Sequence, residues 1–137
     1  MGEFSRFQSH IPVRPDDVDF NRHVRHSAYL DYVLAARLDQ MERCYRMAMG
    51  EFVERGYSWV VKRTEIEYRR SLLLGQTALV ETGIESIGKS AVQVSFEISE
   101  LQSLKLAAKG VSDYTLVSIE SGRPQVIPED IVEAYSI

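Results

Sequence analysis

The chain has one cysteine, Cys44, and three histidines in 137 residues. No intrachain disulfide can form, and no C-x-x-C pair or clustered histidines announce a zinc site. Cys44 stands between Arg43 and Tyr45 in a helical stretch and reads as a small packing residue rather than a nucleophile. Long apolar runs are missing too: no window approaches the roughly 18 apolar residues of a membrane span. The opening MGEFSRFQSH lacks the apolar core of a secretory leader, so a cytoplasmic location is the expectation. Met1-Gly2 starts like a myristoylation signal, but Arg6 stands where that signal needs Ser or Thr. Surplus positive charge is also absent. With 16 Lys+Arg against 20 Asp+Glu the formal net charge is -4, which argues against a general affinity for nucleic acid.

What the chain does have is 45% hydrophobic and 26% charged residues, the balance of a soluble globular domain. At this size a core can bury about two thirds of the unfolded surface without a staple. No repeat, low-complexity tract or linker divides the sequence, so residues 1–137 are expected to form one domain.

Residues 4–14 carry intermittent apolar side chains and predict a first strand that ends in the polar loop PDDVDFNRH. From His26, the stretch to Met49 contains no Gly or Pro and spaces Leu30, Leu34, Leu38, Met41 and Tyr45 as a helix stripe, predicting a helix of about five or six turns. Its first half is apolar almost all round and must be enclosed; Ser27 is the candidate N-cap. Gly50 and Gly56 punctuate a short helical piece. Four runs rich in β-branched and aromatic residues follow, SWVVKRTEIEYRR, QTALVETGIESIG, SAVQVSFEISEL and LKLAAKGVSDYTLVSIE. Separated near Gly75, Gly88 and Gln102-Ser103, consecutive runs are expected to pair antiparallel. The layout is α+β: a curled antiparallel sheet wrapped around one long helix. Basic pairs Lys62-Arg63 and Arg69-Arg70 mark the ends of one predicted strand and could meet a phosphorylated ligand, or simply be solvated.

The segment Val13–Tyr32, VRPDDVDFNRHVRHSAYLDY, resembles the signature of the hotdog-fold thioesterases of the 4-hydroxybenzoyl-CoA thioesterase-like superfamily, D-x-D-x-x-x-H-V-N-H-x-x-Y. Asp17, Asp19, His23, Val24, His26 and Tyr29 match it. The likeness continues weakly through EIEYRRSLLLGQTALVET and so covers most of the chain. It implies that Asp19 is the catalytic carboxylate, acting as nucleophile or as general base on a water. Acyl-CoA relatives of the Tol-Pal group place a helix-start N–H seven residues after that Asp, here at His26, as oxyanion donor. The run Asp19, Asn21, His23 is similar to the catalytic D-x-N-x-H of plant-type acyl-ACP thioesterases. Departures fall at Arg25, where the family usually has Asn, and at Arg22, where many CoA-specific members have Gly.

The implied activity is hydrolysis of an acyl-CoA or acyl-ACP thioester, with Asp19, Asn21, His23 and His26 catalytic and Tyr29, Arg63 and Tyr68 binding substrate. No metal is implied, and no cofactor beyond the coenzyme A or acyl carrier protein of the substrate. Against this, Asp16, Asp17 and Asp19 can be turn and capping residues, His23 an ordinary loop histidine, and the aromatics Tyr29, Tyr32, Trp59 and Tyr68 core residues first. A hotdog hydratase or dehydratase, whose motif resembles D-x-N-P-x-H, fits less well because the proline is missing. A non-catalytic module that holds an acylated carrier or lipid would use the same fold. A homodimer or homotetramer is expected, since a sheet of about five strands leaves an unpaired edge.

Overall fold

The computed structural model describes residues 4–137, so the Met1-Gly2 motif lies outside the described residues. In chain order come β1 (Arg6–Pro12), a 3-10 turn (Pro15–Asp17), α1 (His26–Arg43), α2 (Met49–Glu54), β2 (Tyr57–Tyr68), β3 (Thr77–Ile87), β4 (Ala91–Glu100), β5 (Leu106–Ser118) and α3 (Glu129–Tyr135). The five strands make one antiparallel sheet in the order β1-β3-β4-β5-β2. Helix α1 packs on its inner face against β1, β3 and β4, and α2 sits against β2. The expected α+β hotdog architecture is present. No described helix is long and apolar enough to cross a membrane.

Period-two burial fixes the register. Val92, Val94, Phe96 and Ile98 of β4 and Ala78, Val80 and Thr82 of β3 point inward, while the residues between them face out. At Gly110 of β5 an added Cβ would lie 2.0 Å from the Glu65 carbonyl oxygen and 2.8 Å from Phe96 Cζ. Only glycine lets β2 and the Phe96 ring close over that point.

The turns near Gly88 and Gln102-Ser103 join β3 to β4 and β4 to β5 as expected. The β2–β3 pair is not formed. Instead β2 pairs with β5, from Tyr57↔Ser118 to Tyr68↔Ala108, and β3 pairs with β1. The link between β2 and β3 crosses to the loop before α1: Val24 N–H donates to the Leu72 carbonyl (2.9 Å) and Leu74 N–H to the Arg22 carbonyl (3.2 Å). Leu72 is buried in the crossing. Its backbone groups are thus satisfied without a hairpin.

Helix α1 starts at His26 as expected but stops at Arg43, short of Met49. Arg46 is left-handed at φ 61, and Met47 N–H folds back onto the Met41 carbonyl at 2.9 Å. Gly50 lies inside α2; Gly56, at φ 84, makes the break before β2. Ser27 is not the N-cap. Arg25 holds that place in extended conformation, no side chain caps the helix, and Ser27 Oγ accepts from Arg25 Nε at 3.2 Å.

The buried face of α1 also differs from the expected stripe. Leu30, Leu34 and Leu38 are 38%, 52% and 40% exposed, whereas Tyr29, Tyr32, Val33, Ala36, Arg37 and Gln40 are buried. Small Ala28 and Ala36 let the sheet approach, and the two buried polar residues find partners on β1 and β3. The helix is therefore enclosed on one side only. Apolar cores form at both ends of α1, one around Tyr29, Tyr32, Leu72 and Phe96, the other around Met41, Tyr45, Phe52 and Leu116. Helix α3 has no counterpart among the elements expected from sequence; Ile131 and Tyr135 seat it on the second core. Its signals are Pro128, the acidic first turn Glu129-Asp130, and apolar residues at Ile127, Ile131 and Tyr135, four apart.

Candidate active site

After β1, the chain makes its 3-10 turn and then a tight hairpin closed by the bridge Val18↔Val24. Asp19 N–H donates to the His23 carbonyl and Arg22 N–H to the Asp19 carbonyl, both at 2.9 Å. The Asp19 side chain completes the turn: Oδ1 accepts the N–H groups of Asn21 (2.9 Å) and His23 (3.1 Å), the local bonding that suits Asp to such turns. Arg22 takes the left-handed conformation, φ 67, which glycine adopts without the clash of a Cβ. That is a physical reason for glycine to be common at this place. The Asp19 carboxylate is exposed, and Phe20 at the tip is fully so. In this chain by itself, no apolar wall dries the carboxylate.

Asp17 has the opposite environment. It is 1% exposed and accepts from Tyr32 Oη (2.9 Å), Arg14 Nε (3.1 Å) and Arg25 Nη1 (3.4 Å). Burial alone would push its carboxyl pKa up. The bonds from Arg14 and Tyr32 and the charge of Arg25 outweigh that, and the group stays ionised below the usual range. Burial and the neighbouring carboxylate in turn hold the Tyr32 phenol well above its ordinary value. Asp17 also accepts Arg25 N–H at its own carbonyl (2.8 Å). It clamps the hairpin to the helix start and has no lone pair poised for chemistry.

The helix start is tied from the other side by β2. Tyr68 Oη donates to the His26 carbonyl (3.2 Å), and its ring lies 4.8 Å from the His26 imidazole. Tyr29, one turn on, packs edge-on to Tyr68 at 5.4 Å. Its hydroxyl accepts Leu72 N–H (2.9 Å) and donates to the Arg70 carbonyl (3.4 Å). The first N–H groups of a helix have no partner within it, and here no side-chain cap takes them. The positive end of α1 is left open beside the carboxylate hairpin.

The structure thus brings Asp19, Asn21 and His23 into one hairpin and sets His26 and Tyr68 at the adjoining helix start. Tyr29 lies beneath them, buried, with its hydroxyl holding the crossing link. Arg63 does not join the group. It pairs with Glu65 (2.6 Å) and Asp113 (3.6 Å); Asp113 follows buried Ser112, so the pair lies on the outer face of the sheet. Arg69 is paired with Glu67, and Lys62 and Arg70 are exposed. The clamp of Arg14, Arg25 and Tyr32 on Asp17 has no mark in the sequence: its residues lie up to 18 positions apart (Arg14 to Tyr32) with no motif spacing. Among the described residues no three His, Cys, Asp or Glu side chains are grouped to hold a metal ion.

A curled sheet on one helix, with a carboxylate hairpin fastened beside the open helix start, defines a hotdog-fold protein with a built polar site. Residues 13–135 match the profile of the thioesterase-like superfamily, and the chain belongs to it. It is 25% identical over 121 residues to an esterase predicted in Synechocystis sp., a match covering 88% of this chain and 71% of that protein. A solved thioesterase from Thermus thermophilus, complexed with coenzyme A and zinc, is 28% identical with a TM-score of 0.77, covering 98% of this chain and 95% of that one. The DHNA-CoA thioesterase of Staphylococcus aureus shares the fold, with a TM-score of 0.88 at 20% identity and coverage of 96% and 89%.

Proposed function

We propose that the protein hydrolyses an acyl thioester, carried by coenzyme A or by acyl carrier protein, to free acid and thiol. The observation that carries this is the carboxylate hairpin of Asp19 fastened beside an uncapped helix start. Asp19 attacks the thioester carbonyl or takes a proton from an attacking water, and the carbonyl oxygen gains negative charge. In this reading the uncapped N–H groups at the start of the helix, at His26 and Ser27, receive that charge. Collapse breaks the carbon–sulfur bond; the thiolate leaves and is protonated, and water supplies the new acid oxygen. Asn21, His23 and the His26 ring border the reacting group, and Tyr68 holds the helix start in place. The mechanism uses no metal. The coenzyme A bound in the Thermus relative favours a small-molecule carrier over acyl carrier protein.

In our reading the working unit is a homodimer or a dimer of dimers. Strand β2 is an edge of 12 residues with Val60 and Val61 38% and 53% exposed, and the Leu30, Leu34, Leu38 face of α1 is open. A second copy that continues the sheet would satisfy the edge and supply the apolar wall that Asp19 lacks. The test is thiol release from a panel of acyl-CoAs and acyl carrier protein esters, run beside light scattering on dilution. Activity that falls as dimers dissociate supports the shared site; a fully active monomer contradicts it. Absence of thiol release from every ester contradicts the hydrolase.

A further inference from the structure

Between its two apolar cores the protein carries a polar seam that the hydrolytic site does not use. Arg37 is 8% exposed. Its Nη1 donates to Thr82 Oγ1 (3.0 Å), the Thr82 hydroxyl donates to Gln40 Oε1, Gln40 Nε2 donates to Ser9 Oγ (3.0 Å), and the Ser9 hydroxyl donates to Asp39 Oδ2 (2.5 Å). Every donor along the seam points the same way, so dipoles link the buried cation to a carboxylate that Arg43 also binds. Among the described residues Arg37 forms no direct ion pair. The Tyr45 ring lies 5.5 Å from its Cζ.

A guanidinium has five N–H donors, and Arg37 uses one of them within the protein. Arg37 is among the residues lining a cavity of about 60 Å³ whose other walls are apolar, with Leu34, Leu38, Met41, Trp59 and Val94 around it. A plain hydrocarbon in that space offers no acceptor to a guanidinium N–H at its wall, which is unfavourable. An occupant carrying an oxygen there would satisfy that N–H.

Two elements connect this cavity to the thioester site. On α1, the half-exposed face Leu38, Leu34, Leu30 leads back to His26. On β2, Trp59 lines the cavity while Tyr68 touches His26. From His26 to Arg37 the helix rises about 16 Å at about 1.5 Å per residue. An extended chain advances roughly 1.3 Å per carbon, given C–C bonds of about 1.5 Å, so about 12 carbons cover it.

We propose that the cavity receives the far end of the acyl group and that Arg37 selects a tail of about 12 carbons ending in an acceptor oxygen, a hydroxyl or a carboxylate. This rests on the thioester lying between Asp19 and His26. The test is calorimetric binding of dodecanoate, 12-hydroxydodecanoate and dodecanedioate to the full chain and to Arg37→Met, with hydrolysis of the three CoA esters measured in parallel. Wild type is expected to hold the oxygen-ended acids about tenfold more tightly than dodecanoate, the weight of one charge-assisted hydrogen bond, and Arg37→Met to lose that preference. Preference for dodecanedioate alone marks an ion pair, and preference for both marks an acceptor; either supports the proposal. Equal or weaker binding of the oxygenated acids in wild type overturns it, as does a preference that survives in Arg37→Met. Leu34→Trp, which fills the cavity mouth from an exposed position, gives a second check independent of the seam: it should abolish binding of all three acids, and unaffected binding overturns the cavity assignment. Acid binding with the tail preference but no hydrolysis would sink the hydrolase reading alone, whereas hydrolysis without tail preference would sink only this proposal.

Discussion

Asp17→Asn removes a charge from a site 1% exposed while keeping the side chain's shape. The fully buried bond at stake is Tyr32 Oη to Asp17 Oδ2, 2.9 Å. The two arginines are 65% and 45% exposed, so solvent screens most of what they add. A hydrogen bond to a charged group is worth about 1.5–3 kcal/mol and a neutral one about 1. The amide also turns an NH2 toward two guanidinium groups, and the net loss comes to about 2 kcal/mol, or about 6 °C in Tm for a chain of this size. The loss depends on pH in a definite direction. The Asp17 pKa is lowered by folding, so its stabilisation is fully present above the unfolded value near 4 and disappears as pH falls through the folded value. Thermal unfolding of wild type and Asp17→Asn at pH 7, 5 and 3 should show a constant gap at the first two and a narrower gap at the third. Initial rates at a temperature where both are folded should stay within a few-fold. An unchanged Tm, or a gap that widens on acidification, would refute the clamp.

Arg22→Gly should raise stability by about 1 kcal/mol in a urea titration, because the left-handed backbone at φ 67 costs a side-chain-bearing residue more than glycine's extra unfolded-state entropy returns; a lower midpoint would contradict it. Gly110→Ala should cost about 3 kcal/mol or more in the same titration, since its Cβ would meet the Glu65 carbonyl oxygen at 2.0 Å. Cys44→Ser, and treatment with EDTA, should each leave thiol release within a few-fold of wild type; activity lost to chelator and restored by one divalent metal would contradict the metal-free mechanism.

The loop was the most legible part of the sequence because its chemistry is local. Asp19, Asn21 and His23 lie within five residues, and turn bonding at that range is written in residue types. Strands were legible through β-branched runs, but which strand β2 would choose was not: the choice depends on Leu72 and Leu74 bonding to the loop before α1, more than 45 residues earlier. The buried face of α1 departs from the apolar stripe for a related reason. Counting apolar residues favours Leu30, Leu34 and Leu38, yet burial follows Arg37 and Gln40, whose partners Thr82 and Ser9 come from other strands. Asp17 carried a motif match, and only the fold shows that a buried tyrosine and two arginines make it a clamp.

Asp19→Asn separates the reacting carboxylate from its structural role in the hairpin. Asparagine's Oδ1 can accept the same Asn21 and His23 N–H groups that the carboxylate accepts now at 2.9 and 3.1 Å, so the hairpin and the Tm should be kept. The amide can neither attack a thioester nor deprotonate water. In Asp19→Asn, kcat for thiol release from a good acyl-CoA substrate should fall by about a thousandfold with unfolding unchanged. Wild-type turnover in a folded Asp19→Asn would contradict it.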